Sequence, residues 1–237
     1  MGKQVTYEGV ILRKVPYRDH DLILGVFTKE DGKISVFVPG ARKSTKRFGP
    51  YLDLFAKVQL VLKDAGHKML QLQETSLIDP YVVVRESLFS LGFATYYAEC
   101  LWSMLAEHDP HMDIFEHLCS MLKNVSQDKE NFRKLYEYEY QLIEMCGYNP
   151  DFTFCGECKA SVQGQVFFSY GKGSVMCKTC HRYDQGLMIS EQTMQMLQNQ
   201  GPLSKKSYEE IREVLTNFVS YTLGKQLKSH AFRKGVS

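Results

Sequence analysis

The sequence predicts an α+β protein, in which a small five-stranded barrel precedes a helical domain with an inserted four-cysteine module. Three observations predict this class. Short β-rich runs separated by tight turns fill the first third of the chain. Apolar residues then recur at helical spacing, and two Cys-x-x-Cys pairs interrupt the helical part. We therefore predict domains at residues 1–79 and 80–237, with the cysteine module at about 149–185.

Five β-rich runs form the predicted barrel. They lie at residues 5–13, 22–28, 34–38, 54–62 and 69–74. Asp31-Gly32 is a strong hairpin signal between the second and third runs, and Asp64-Ala65-Gly66 supplies the turn between the fourth and fifth. Short strands joined by such turns suit a Greek-key barrel of the OB type, a fold that binds oligonucleotides, although another small β-barrel would give a similar pattern.

The apolar period becomes helical after Asp79-Pro80. The predicted helices lie at residues 82–107, 114–123, 131–146, 191–198 and 207–223. Gly147 is suited to end the third helix, and Ser190 is a good N-terminal cap for the fourth. Three cysteines lie among apolar residues at helical spacing and are expected to be buried thiols: Cys100, Cys119 and Cys146.

The other four cysteines have the spacing of a metal site. Cys155-x2-Cys158 is followed, after 18 residues, by Cys177-x2-Cys180. Two thiolates three positions apart in a tight turn can point at one ion, and two such turns at the ends of a hairpin complete a tetrahedral set that suits Zn²⁺. Because four protein ligands leave no open position, the expected zinc is structural. An iron–sulfur cluster and a dithiol redox pair are the alternatives.

A basic loop separates the third and fourth predicted strands. It carries four cations within six residues: Arg42, Lys43, Lys46 and Arg47. With its hydroxyls and flanking aromatic residues, the loop is expected to contact the phosphates and bases of a nucleic acid. The alternative is a solvated loop that only aids solubility. Lys225 and Lys228 belong to a basic tail that either extends this surface or is a frayed terminus.

The net charge of +2 hides an uneven distribution. Residues 1–80 hold 13 Lys and Arg against 9 Asp and Glu, residues 81–150 hold 5 against 11, and residues 151–237 hold 11 against 7. This pattern suggests modules with different partners. Since the chain has no apolar run of membrane-spanning length and no signal-peptide pattern, a cytoplasmic protein is expected. Seven cysteines, an odd number, fit a reducing compartment.

The sequence contains none of the common catalytic motifs. Walker A, Gly-x-Gly-x-x-Gly, His-Glu-x-x-His and Gly-x-Ser-x-Gly are absent. No histidine is followed by x-Glu, which the zinc deaminases require. We therefore expect a nucleic-acid-binding protein that is not an enzyme. A zinc-dependent nucleic-acid-modifying enzyme and an RNA-binding OB adaptor are the alternatives.

Several short motifs occur in a fixed order along the whole chain. They lie at residues 8–12, 19–24, 32–33, 39–43, 50–51, 147–150 and 227–230, with the four cysteines between the last two. In this order they resemble RecO, a family of bacterial recombination mediators. His230 stands where an Arg is common in that family. Some of its members lack the cysteines, so zinc would support the fold rather than define the activity.

The resemblance implies an N-terminal OB domain followed by a helical domain with a zinc module. It also implies binding of single- and double-stranded DNA, annealing of complementary strands, and a place in the bacterial cytoplasm near the nucleoid. The implied partners are RecR and the C-terminal tail of the single-stranded DNA-binding protein, with which the family helps to load the recombinase RecA.

Overall fold

The computed structural model describes residues 4–43, 49–64, 69–181 and 185–228. By packing, the chain forms two compact units. One comprises Met1–Ala98 with Leu105–Asn124, and the other comprises Glu99–Met104 with Val125–Ser237. The domain boundary expected at residue 79 stays a prediction, and the turn expected at 65–66 lies outside the described residues.

Five strands of the first unit close into a barrel, which confirms the predicted fold. They are β1 (Gln4–Tyr17), β2 (Asp21–Thr28), β3 (Gly32–Val38), β4 (Lys57–Lys63) and β5 (Leu70–Asp79). The order around the barrel is β1-β2-β3-β5-β4, with β3 and β5 parallel and the other neighbours antiparallel. A five-stranded Greek-key barrel of this kind is the OB type.

Alternation of apolar residues along the strands builds the barrel core. Leu24 and Val26 of β2 and Ile34 and Val36 of β3 are fully buried there with residues from the other strands. Since successive side chains of a strand point to opposite faces, the residues between them lie on the outer surface of the barrel. This inside–outside register fixes which side chains a ligand can reach.

Strand β1 is longer than predicted, because it serves two neighbours in turn. Its first part pairs with β4 from Gln4 to Val10. Its second part pairs with β2 from Gly9 to Tyr17, with a register shift between Ile11 and Arg13. Pro16 is compatible with the longer strand, because proline is tolerated on a strand edge that has no further partner.

Two α-helices and two short 3₁₀ helices complete the first part of the chain. The α-helices are α1 (Leu88–Met104) and α2 (Met112–Asn124), and the 3₁₀ helices are Gly49–Leu52 and Val82–Arg85. The predicted helix at 82–107 is therefore wrong at both ends. The Ser87 hydroxyl accepts a hydrogen bond from the Ser90 N–H at 3.0 Å, a capping contact that starts α1 after the β-branched run 82–84.

The second unit contains three further helices and a small sheet. The helices are α3 (Phe132–Met145), α4 (Glu191–Gln198) and α5 (Lys205–Thr222). Strands β6 (Val166–Ser169), β7 (Ser174–Met176) and β8 (Gly186–Ile189) form a sheet in the order β7-β6-β8. The sequence predicted only a hairpin between the cysteine pairs, without strand bounds, and did not predict β8. Ser190 caps α4 as predicted, since its side chain accepts a hydrogen bond from the Thr193 N–H.

The three cysteines outside the metal motif differ in exposure. Cys100 is buried, as predicted, but Cys119 and Cys146 are only half-buried, so the prediction is wrong for these two. Cys146 is the C-terminal cap of α3, beyond the helix's apolar face, and for Cys119 of α2 helical spacing alone does not separate core from boundary. Among the described residues, no helix has the length and apolar character needed to cross a bilayer.

Candidate metal centre and nucleic-acid interface

The four cysteines of the two Cys-x-x-Cys pairs come together at one end of the small sheet. Their sulfur atoms all lie within 4.8 Å of one another, and the Sγ atoms of Cys158 and Cys177 are 3.8 Å apart. Four sulfurs placed tetrahedrally about 2.3 Å from a zinc ion would be roughly 3.8 Å apart. The cluster therefore has the size of a four-thiolate metal site.

Backbone hydrogen bonds shape the two cysteine turns. In the first turn the Cys155 N–H donates to the Ala160 carbonyl at 2.8 Å, and the Lys159 N–H donates back to the Cys155 carbonyl at 2.9 Å. In the second turn the Cys180 N–H donates to the Cys177 carbonyl at 3.1 Å. A bond from the Cys177 N–H to the Cys155 sulfur, at 3.4 Å, joins the turns. The sulfur positions are thus held by the local backbone.

The thiols of this cluster share their protons unequally. The Thr179 hydroxyl and the Cys180 N–H stabilise the Cys177 thiolate and lower its pKa to about 6. Hydrogen bonds to the sulfurs of Cys177 and Cys158 hold the proton on Cys180 and raise its pKa to about 12. Burial raises the pKa of Cys155, but backbone N–H donors outweigh it, and the net direction is downward. A divalent cation favours the thiolate at every such position.

Aromatic packing and one carboxylate tie the cysteine module to the helices of its own unit. Phe168 of β6 stacks on Phe152 with ring centroids 5.1 Å apart and meets Phe218 of α5 edge-on at 5.7 Å. Glu210 of α5 accepts hydrogen bonds from the Ser190 N–H at 2.8 Å and from the Ser190 hydroxyl at 2.7 Å. Glu210 was missed by sequence reasoning, since it reads as one of several surface acids on α5.

The first half of the basic loop is attached to the turn between β1 and β2. The Arg42 N–H donates to the His20 carbonyl at 3.0 Å, and its guanidinium donates to the Asp19 carbonyl at 3.3 Å. The Gly40 N–H donates to the Asp21 carboxylate at 2.8 Å. Arg42 and its neighbour Lys43 are exposed.

The remaining residues predicted to contact nucleic acid are not located beside Arg42 and Lys43 by the described structure. Lys46 and Arg47 lie outside the described residues. Lys225 and Lys228 are exposed in the second unit, whereas Arg42 and Lys43 belong to the first. The backbone of the tail is attached at this point, because the Lys228 N–H donates to the Glu99 carboxylate at 2.7 Å. This hydrogen bond fixes the backbone of the tail at Lys228.

Comparison with known proteins gives consistent matches along the chain. The family model described as recombination protein O N terminal matches residues 1–81, and the one described as recombination protein O C terminal matches residues 85–231. A protein named DNA repair protein RecO from Anaeromyxobacter sp. (strain K) is 30% identical over 242 residues, covering 97% of this chain and 95% of that protein. A protein of the same name from Desulfatibacillum aliphaticivorans is 30% identical, with 97% and 96% covered.

Similarity to a solved structure is weak by contrast. Asparaginyl-tRNA synthetase from Entamoeba histolytica overlaps 44% of this chain and 32% of its own, at 13% identity and a TM-score of 0.27.

Proposed function

Because the chain belongs to the recombination protein O family of DNA repair proteins, we propose that it is a non-enzymatic mediator that binds DNA and anneals complementary single strands. The observation that carries the proposal is the OB-type barrel with Arg42 and Lys43 exposed at its surface. Barrels of this type bind oligonucleotides through a strand face and neighbouring loops.

The chemistry of the basic loop supports contact with phosphates in any sequence. Arg42 is held by its backbone N–H and by one guanidinium contact, and a guanidinium has five N–H donors, so the others can reach phosphate oxygens. Such contacts fix a strand without reading its bases. That property suits a protein that must anneal strands of any sequence.

We also propose that the four cysteines hold a structural zinc ion. The mutual distances of the sulfur atoms fit this ion, and a set of four thiolates satisfies its preferred coordination. Cys155, Cys158, Cys177 and Cys180 would each bind as thiolates. A closed set leaves no position for a reacting water, so the metal would supply folding stability to the module.

The wider role follows from the family and is part of the same proposal. The protein would bind both single- and double-stranded DNA in the bacterial cytoplasm. It would act with RecR and with the C-terminal tail of the single-stranded DNA-binding protein, and it would help to load RecA. An acidic tail of that kind is attracted by a basic surface.

Annealing of complementary strands coated with their cognate binding protein tests the proposal. We expect the double variant Arg42→Ala with Lys43→Ala to anneal more slowly than the wild-type protein. Its slope of log affinity against log salt for single strands should be flatter by about 1.4, since each lost phosphate contact contributes about 0.7. Affinity should fall alike for all sequences.

The control is Lys123→Ala with Lys129→Ala, which removes the same charge from exposed positions outside the loop sequence. It should anneal at the wild-type rate with an unaltered slope. Wild-type protein that fails to accelerate annealing would contradict the proposed function. An unchanged slope in a folded Arg42 and Lys43 variant would instead place the phosphate contacts at Lys225 and Lys228.

A further inference from the structure

A row of apolar side chains crosses the outer face of the barrel beside the basic loop. Val15 of β1 pairs with Ile23 of β2, and Ile23 pairs with Phe37 of β3. Directly paired residues of neighbouring strands lie on the same face. Because the adjacent residues Leu24 and Val36 point into the core, this row points outward. Three strands therefore present apolar groups to the outside at one level of the barrel.

Part of this face has a structural explanation, and part has none among the described residues. At one end Phe27 of β2 is fully buried and lies 6.2 Å from the ring of Phe115 in α2. At the other end Val15 is 51% exposed and Tyr17 is 36% exposed. The Tyr17 ring meets Phe37 edge-on, with centroids 6.0 Å apart. We call the open part, formed by Val15, Tyr17, Ile23 and Phe37, the apolar strip.

Cations border the apolar strip. The Arg18 guanidinium lies 5.2 Å from the centroid of the Tyr17 ring. Arg42 is attached to the same turn through the carbonyl groups of residues 19 and 20. Arg13 and Lys43 are exposed as well.

Two carboxylates also lie in this region, Asp19 and Asp21. The carboxylate of Asp21 accepts the Gly40 N–H and so supports the loop. Arg13, Arg18, Arg42 and Lys43 outnumber these two carboxylates, and such an excess of cations favours an anionic ligand.

This combination fits one class of ligand. A single strand of nucleic acid offers unpaired base faces, which are apolar, and a phosphate chain, which is anionic. Proteins bind such strands by stacking bases on aromatic side chains beside cations that follow the backbone. In a duplex the base faces are already covered by their neighbours, so they cannot stack on Tyr17.

We propose that the apolar strip is a base-stacking platform that makes the barrel prefer single-stranded over double-stranded DNA. This inference rests on the proposed function, because it requires that the barrel bind DNA. The basic loop contacts phosphates in both kinds of DNA, and the strip adds stacking only for unpaired bases. A stacked base keeps its pairing edge free, so a complementary strand can reach it while it is bound.

The test is a comparison of affinities for a single strand and for a duplex of equal length. Tyr17→Ala should weaken single-strand binding by about 5- to 150-fold, the usual range for one lost stacking contact. Duplex binding should stay within about twofold, and the salt slope should not change, since no phosphate contact is lost. Tyr17→Phe should restore the single-strand affinity, because it keeps the ring.

A matched control and a second readout keep the test sharp. Tyr221→Ala removes a tyrosine of similar exposure from the second unit and should leave both affinities unchanged. Tyr17→Trp should bind a single strand as well as the wild type does. Its added fluorescence should be quenched by an oligothymidylate but not by a duplex.

Three outcomes would overturn the inference while leaving the proposed function standing. In the first, a folded Tyr17→Ala protein loses single-strand and duplex affinity equally, with a flatter salt slope, and Tyr17 then only positions Arg18. In the second, neither affinity changes. In the third, Tyr17→Ala abolishes binding of an acidic peptide and leaves DNA affinity intact, so the strip binds protein. Failure of wild-type protein to bind either DNA would instead contradict the proposed function itself.

Discussion

Gly32 shows how one backbone position joins the barrel to the segment that follows α1. Its φ is +61°, and a Cβ atom there would lie 2.1 Å from the Asp109 carbonyl oxygen. The next residue, Lys33, is only 8% exposed, and its ammonium group donates to the Leu105 carbonyl at 2.7 Å. The β2–β3 hairpin is therefore held against residues 105–109 by close approach and by a buried cation.

Gly32→Ala should destabilise the protein much more than Gly40→Ala. Both glycines have a positive φ, so both changes bring the strain of a left-handed backbone, about 1–2 kcal/mol. Among the described residues, a Cβ at Gly40 meets nothing within 4 Å, whereas one at Gly32 requires the backbone at Asp109 to move. We expect an additional loss of about 2 kcal/mol for Gly32→Ala, measured by urea denaturation. Equal losses would show that the contact with Asp109 is easily relaxed.

The sequence alone predicted the turn at Gly32 but not the contact between Gly32 and Asp109. Asp31-Gly32 predicted the hairpin turn correctly, because that signal is local. The contact with Asp109 depends on where a distant segment returns, and no pattern within the hairpin encodes it. The same limit applied to the apolar strip: Val15, Ile23 and Phe37 come together only through strand register.

Among the secondary-structure elements, β8, α4 and α5 are joined by hydrogen bonds to the side chain of Glu210, which the sequence analysis did not single out. Its carboxylate accepts hydrogen bonds from the N–H and hydroxyl of Ser190 and from the Thr193 hydroxyl. Ser190 is also the N-terminal cap of α4. One side chain of α5 thus holds the start of α4 and the end of β8, and a negative charge at this place also suits the N-terminus of a helix.

Glu210→Ala is expected to lower the free energy of unfolding by about 2 kcal/mol or more. The change leaves the Ser190 and Thr193 donors without their charged acceptor, and hydrogen bonds to charged groups contribute about 1.5–3 kcal/mol. The neighbouring change Glu209→Ala breaks only an exposed ion pair with Lys205 at 3.8 Å and should cost less than about 1 kcal/mol. Similar losses in thermal or urea unfolding of the two variants would refute a special role for Glu210.

Elements with a strong local signal were predicted well. The last four helices were placed within a few residues, because apolar spacing and caps such as Ser190 agree there. The helix predicted at 82–107 failed, since the β-branched run and the Ser87 cap shift its start to Leu88. Strand β8 was missed because it is short and takes its pairing from β6, which lies some distance away in the sequence.

For the molecule as a whole, division into two compact units means that the proposed metal and DNA contacts can be tested separately. The four cysteines belong to the second unit, and Arg42 belongs to the first. The cysteine cluster was predictable from sequence, because two cysteines three positions apart in a tight turn bring their sulfur atoms together locally. The distribution of charge did not predict that Lys225 and Lys228 belong to a different unit from the loop, since charge patterns carry no information on packing.

Metal removal should therefore act on one unit only. We expect one zinc per chain, with about four sulfur ligands near 2.3 Å in X-ray absorption. Cys177→Ser should lose the metal and lower the unfolding temperature of the second unit, because ligand binding supports folding of the module. DNA affinity at the barrel should be retained.

The control for metal removal is Cys146→Ser, which changes a half-buried cysteine outside the cluster. It should keep a full complement of zinc. A metal-replete preparation with well under one zinc per chain, or with iron instead, would rule out the assignment. Differential scanning calorimetry would show which transition moves.

The pairing of β1 with two different neighbours also bears on how long a DNA strand stays bound to the barrel. Beyond Val10 this strand has no paired residue in β4, so among the described strands residues 13–17 pair with β2 alone. A segment held on one edge only has fewer hydrogen bonds to break, and local opening needs less free energy than global unfolding. Val15 and Tyr17 lie on that segment. The residence time of a stacked base would then follow local motion of this edge, while the barrel behind it stays closed. A bound DNA strand could then pass to its complementary strand while the core of the barrel stays closed.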